Sequence, residues 1–145
     1  MALEHRTDMA LPTHRQPGGF DHAAVHRASA RLYVAHTAND ALDVIDCARD
    51  RYLHSIAGLT SVAGALVSDA RRLVFTSNRG DHTVGIFAPD AEEALVKVPV
   101  GRGGGPIGKR LCACHGWSGR MPLGYVRAIT RLSSRRKTKH QGGPM

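Results

Sequence analysis

A pattern of strands and turns that returns after about forty residues constrains this chain more than any other feature. Arg31-Leu32-Tyr33-Val34-Ala35-His36-Thr37 has the β-branched and aromatic content of a strand, and Ala38-Asn39-Asp40 follows as a turn. Ala41-Leu42-Asp43-Val44-Ile45-Asp46 reads as the next strand and Cys47-Ala48-Arg49-Asp50 as a polar turn. Arg51 to Ile56 is a third strand, closed by Gly58, the residue best able to take a positive φ. The same order returns in Arg72 to Asn78, a turn at Arg79-Gly80-Asp81, Thr83 to Phe87, and Leu95 to Gly101. Leu32 to Leu73 is 41 positions, Leu42 to Val84 is 42 and Gly58 to Gly101 is 43.

About ten residues per strand and turn suits antiparallel hairpins and leaves no room for crossover helices, which disfavours a parallel sheet. A period of this length with four strands per unit is that of a propeller blade. The fourth strand of each unit comes first: His22-Ala23-Ala24-Val25 in one, and Val62-Ala63-Gly64-Ala65-Leu66-Val67 in the other. Their small side chains suit an innermost strand, crowded near a propeller axis. Tyr33 and Phe75 fall one strand further out, where sheets have room to interleave.

At these residues the chain resembles the bacterial YVTN-type, or YncE-like, β-propeller repeat proteins. Their blades carry a Leu-Tyr-Val-Ala-Asn strand, a polar turn and a Val-x-Val-Ile-Asp strand. The first unit reads Leu32-Tyr33-Val34-Ala35-His36, then Asn39-Asp40, then Leu42-Asp43-Val44-Ile45-Asp46. The second is looser: Leu73-Val74-Phe75-Thr76-Ser77-Asn78 and Thr83-Val84-Gly85-Ile86-Phe87 keep the apolar positions, with Phe87 read at the place of the family's Asp. The resemblance covers residues 17–101 and implies an all-β partial propeller of two four-stranded antiparallel blades. A closed propeller needs about 4 to 8 blades. Two alone are expected to leave an apolar face uncovered on each side, and so to self-associate or pair with another propeller fragment.

The charge divides the chain where the pattern stops. Residues 1–101 hold ten Lys and Arg and all twelve Asp and Glu, a net charge of −2, whereas residues 102–145 hold the other ten cations and no acid. The expected organisation is an N-terminal segment over 1–16, two blades over 17–101, and a basic tail of little order over 102–145. The loss of acids together with the gain of Arg, Gly and Cys after Gly101 is what a shifted reading frame through a third unit would give. No run approaches the ~18 apolar residues of a spanning helix. The first residues carry charges and Pro in place of an apolar leader, so a cytoplasmic location is expected. Three Cys are too few and too unevenly placed for a disulfide framework.

The motifs that carry chemistry elsewhere fail here on their details. Gly103 to Lys109 fits a phosphate loop, but Arg110 stands where Ser or Thr must hold magnesium and Pro106 lacks a backbone N–H. Cys112-Ala113-Cys114-His115 lacks the second ligand pair of a zinc site, and one residue between its Cys is too few for c-type haem attachment. His22 and His26 share a strand face with no third ligand in register, so they read as solvated or partly packed. Asp21, Asp43 and Asp46 read as turn and hydrogen-bonding residues. No catalytic, cofactor-binding or metal-ligating residue is assigned and no cofactor is implied. The expected function is that of a non-enzymatic repeat scaffold for a ligand or a protein. Two alternatives stand beside it. Lactonases share this blade pattern and draw metal ligands from many blades around the axis. The basic run Ser133 to His140, with Trp117 and Tyr125 upstream, could track a phosphate backbone of nucleic acid.

Overall fold

The computed structural model describes residues 4–100. The Gly103 to Lys109 run, the Cys112, Cys114 and His115 cluster and the basic stretch all lie outside them. Eight strands form two four-stranded antiparallel sheets, each with its strands in chain order. The first sheet holds β1 (Phe20–His26), β2 (Arg31–His36), β3 (Ala41–Asp46) and β4 (Arg51–Ile56). The second holds β5 (Val62–Ser68), β6 (Leu73–Asn78), β7 (Thr83–Ala88) and β8 (Ala91–Pro99). This is the all-β pair of blades expected from the period, and the small-residue strands do lead each sheet.

The registers show a repeat of 42 residues through the first three strands of each sheet. Val25 pairs with Leu32 and Leu32 with Ile45 in the first sheet; 42 residues on, Val67 pairs with Val74 and Val74 with Phe87. The outer hairpins agree away from their turn, where Leu42 opposite Ile56 becomes Val84 opposite Val98, and differ beside it, where Asp46 opposite Arg51 becomes Ala88 opposite Ala91. The turns agree as well: Ala30 and Arg72 take a positive φ of 51° and 52°, and Asp40 and His82 of 51° and 53°. Two sequence alignments are corrected by this. Leu32 corresponds to Val74 and not Leu73, and Phe87 corresponds to Ile45, so Ala88 holds the place of Asp46. Periodic apolar strands allow a one-residue slip in sequence, but backbone pairing does not, because the slip would turn every side chain to the opposite face. The last strand also starts earlier than the sequence suggests, at Ala91, after a tight turn at Pro89-Asp90.

Corresponding faces of the two sheets point the same way. Tyr33, Ala35, Leu42 and Val44 of the first sheet meet Val62, Val74 and Phe87 of the second, with Leu59 from the connection. Tyr33 and Phe87 meet edge to face, their centroids 5.8 Å apart. A second apolar cluster, Leu73, Phe75, Val84 and Ile86, lies on the far side of the second sheet. Its last three members are the 42-residue counterparts of Tyr33, Leu42 and Val44. Polar bonds lock the sheets together. Glu92 accepts from Arg31 at 3.1 Å and lies 2.5 Å from His54, and Tyr33 Oη donates to it at 3.4 Å. Thr37 Oγ1 donates to the Val62 carbonyl at 2.6 Å, and Asp40 Oδ1 accepts from Ser61 N at 2.6 Å.

Leu73, Phe75, Val84 and Ile86 are buried, and Phe20 and Val25 are the large hydrophobic side chains that stay exposed among the described residues. Both belong to β1. Its counterpart β5 is better buried because, among the described residues, β5 has a neighbouring sheet on the side where β1 has none.

Candidate functional site

The far side of the first sheet carries the most developed polar arrangement among the described residues. His36, at the end of β2, and Asp43, in β3, are both fully buried, and His36 Nδ1 lies 2.8 Å from Asp43 Oδ2. Ser55 in β4 donates to Asp43 Oδ1 at 2.5 Å. Strand alternation places the three on one face, since Asp43 pairs with Val34 and Ser55 across adjacent ladders while His36 lies two residues along β2 from Val34.

The order of these groups determines their chemistry. The carboxylate stands between hydroxyl and imidazole, so the Ser55 proton points at Asp43 and not at a base that could remove it. This is the reverse of a nucleophile-activating triad, in which imidazole is the central group. Asp43 serves as an acceptor for two donors and fixes the imidazole with Nδ1 toward the carboxylate. The His36 Nε2 atom is buried without a hydrogen-bond partner. Two rings close over His36: Phe20 at 4.3 Å between centroids and His14 at 5.0 Å.

His14 belongs to a strap, residues 4–19, that crosses this face. At one end Arg6 pairs with Asp50, in the turn after β3, at 3.7 Å. At the other, Asn39, in the turn before β3, donates to the Thr13 carbonyl at 3.0 Å and accepts from Arg15 N at 2.8 Å. The two anchors therefore bracket the length of β3, and half-buried Met9, Leu11 and Pro12 lie between them in the chain. Ten extended residues reach about 30 Å, ample for a six-residue strand of about 20 Å.

The second sheet answers with a different set at the same positions. Thr76, Asn78 and Gly85 stand where the first has Val34, His36 and Asp43. Thr76 Oγ1 donates to Asn78 Oδ1 at 3.1 Å, Asn78 Nδ2 to Thr83 Oγ1 at 2.9 Å, and Thr83 Oγ1 to Asp81 Oδ1 at 2.6 Å. Lys97 closes the chain on Asp81 Oδ2 at 2.7 Å. Burial alone pushes the Asp81 carboxyl up, and the hydrogen bonds from Lys97 and Thr83 outweigh it, holding the group below the usual carboxylate range. Burial pushes the Tyr33 phenol up to about 12.

The residues singled out in the sequence are scattered. Asp46 is a turn residue that accepts from Ala48 N at 3.0 Å and Arg49 N at 3.2 Å; its hydrogen bond from the Arg49 guanidinium holds the carboxyl below its ordinary range. Asp21 pairs with His22 at 2.6 Å and with Arg79 at 3.7 Å. His22 and His26 reach the second sheet separately, His22 through the Ala63 carbonyl and His26 beside Asp69, and His26 also bonds Ser29 at 2.7 Å. No cluster of three or more His, Cys, Asp or Glu among the described residues could hold a metal ion. No helix among them is long and apolar enough to cross a membrane. Asp43 is the hydrogen-bonding residue expected, but as a buried acceptor within β3 and not in a turn. Its partners are His36 and Ser55, for which the sequence signal is a polar residue inside an apolar strand. No protein-family model matches the chain, and no curated protein matches it.

Proposed function

We propose that this chain is a two-blade piece of a YVTN-type β-propeller, a non-enzymatic scaffold whose blade faces bind other blades or proteins. The observation that carries the reading is the 42-residue equivalence of the first three strands in two sheets stacked in the same sense. A head-to-tail stack of like sheets leaves unlike faces outward, as in a propeller, whereas a two-sheet sandwich packs like faces together and leaves like faces outward. The corrected register also supports the family resemblance. Val74-Phe75-Thr76-Ser77-Asn78 now falls on Leu32-Tyr33-Val34-Ala35-His36, so Phe75 stands at the family's Tyr and Asn78 at its Asn. The Ser-Asp-His order supports a structural part for these groups.

Two assays test this together. Lactone hydrolysis with added divalent metal is expected to match the protein-free blank. Turnover that scales with protein and stops on chelation would favour the lactonase reading instead. Binding of single-stranded DNA that weakens steeply with salt would favour the basic residues after 101 as the functional part.

A further inference from the structure

We propose that the far face of the first sheet is a groove for an extended, arginine-bearing peptide from another protein, and that residues 4–19 are its built-in occupant. The inference rests on the scaffold reading and names the chemistry of one partner. The way the strap is held defines the seat. Within the strap, Asn39 grips main chain alone: its carboxamide donates to the Thr13 carbonyl and accepts from Arg15 N, bracketing His14 as a neighbouring strand would. Such a grip is indifferent to side chains. Arg6, seven residues before Thr13, meets the Asp50 carboxylate at 3.7 Å. The seat therefore takes an arginine, an extended apolar stretch in the place of Met9, Leu11 and Pro12, and a free peptide unit on Asn39.

Two observations mark the strap as a replaceable occupant. Of residues 4–19, Met9, Leu11, Pro12 and Gly19 are half-buried and all others are exposed, so lifting the strap uncovers little apolar surface. The strap also leaves a buried group unsatisfied. His36 turns Nδ1 to Asp43, which makes Nε2 of the neutral ring an acceptor, and that atom has no hydrogen-bond partner. Asn39 Nδ2 lies 3.4 Å from His36 Nδ1, so the residue it brackets is brought to the buried ring. His14 meets that ring edge to face, with centroids 5.0 Å apart and no hydrogen bond to Nε2. A donor side chain such as Gln at that place would satisfy the orphaned acceptor and remove the cost of leaving it unmet. The preferred ligand thus carries an arginine and, eight residues later, a donor.

The test titrates a labelled synthetic peptide of residues 4–19 into the full chain and into Arg6→Glu/Leu11→Asp, whose changes lie on the strap and leave the seat intact. Fluorescence anisotropy reads binding, and hydrogen exchange reads the strap. The variant is expected to exchange faster over 4–19 and to bind the peptide about tenfold more tightly than the parent, in which the attached strap competes. Added to the variant, Asn39→Ala should weaken binding about tenfold. Arg6→Glu in the peptide should weaken it about two- to fivefold, and Asp50→Lys in the chain should restore it. His14→Gln in the peptide should tighten it. Unchanged exchange, or equal binding to parent and variant, would overturn the strap as occupant, and no binding to the opened variant would overturn the groove. A charge swap without effect would remove Asp50 from the seat, and a His14→Gln peptide no tighter than the original would remove His36. A parent that doubles from 15.6 kDa on concentration would make a second copy's strap the occupant and overturn the foreign peptide. The lactone and DNA assays separate these failures from that of the scaffold reading. A lost groove beside two blank assays leaves that reading standing, whereas turnover or salt-sensitive DNA binding counts against it.

Discussion

Asp43 and Gly85 hold the same place in consecutive sheets, and each is matched to its neighbours. Asp43 fills its place with a carboxylate bonded to His36 and Ser55. At Gly85 a Cβ would lie 2.3 Å from Thr76 Oγ1 and 3.1 Å from Leu95 Cδ1. The position is shared, and the residues that can stand there are decided by the set around them.

Asp43→Ala leaves the buried His36 and the half-buried Ser55 without their acceptor and is expected to destabilise the fold by about 1–3 kcal/mol. Writing the second sheet's set into the first, Val34→Thr/His36→Asn/Asp43→Gly, should lose less than Asp43→Ala does. Urea unfolding of the three proteins measures both losses. A triple variant at least as unstable as the single one would show that the two sets are not interchangeable.

Gly85→Ala meets a β-branched side chain held by its bond to Asn78, and an overpacking cost of about 1–3 kcal/mol is expected. Combined with Thr76→Ala, which removes the clashing hydroxyl, the cost should fall well below the sum of the single changes. Additive losses in a thermal double-mutant cycle would place the strain elsewhere.

Acid should weaken the fold through Asp46 and Asp81. Both are held below their ordinary value of 3.8 in the folded chain, so the unfolded chain takes up protons first as pH falls. Their contribution is complete above that value and is lost as pH drops through the lower folded values. In Asp81→Asn the loss of stability below pH 4 should be shallower than in the parent, as read from urea midpoints across pH 2 to 6.

Alkali acts through Tyr33 with the opposite sign. Its phenol ionises near 10 when unfolded and only at about 12 when folded, so the unfolded chain loses its proton first as pH rises. Stability from this group is intact below pH 10 and declines between 10 and 12. Tyr33→Phe should flatten that decline while lowering stability at neutral pH through the lost bond to Glu92. An identical alkaline slope in the two proteins would assign the loss to other groups.

What the sequence determined by itself is the element order and the kind of sheet. Ten-residue spacing, β-branched strands and turn residues such as Asp40 and Gly58 are local signals, and local chemistry suffices to read them. They carry the chain as far as two four-stranded blades with the small-residue strands leading. They could not settle that Leu32 answers to Val74, because neighbouring apolar residues make two alignments equally good until backbone pairing chooses one. Nor could they bring His36 to Asp43 or Arg6 to Asp50. The first contact depends on strand register, the second on a strap that folds back across a whole strand. Tertiary structure alone decided which faces are covered, since burial at β1 and β5 differs between like strands only through the neighbour each one has.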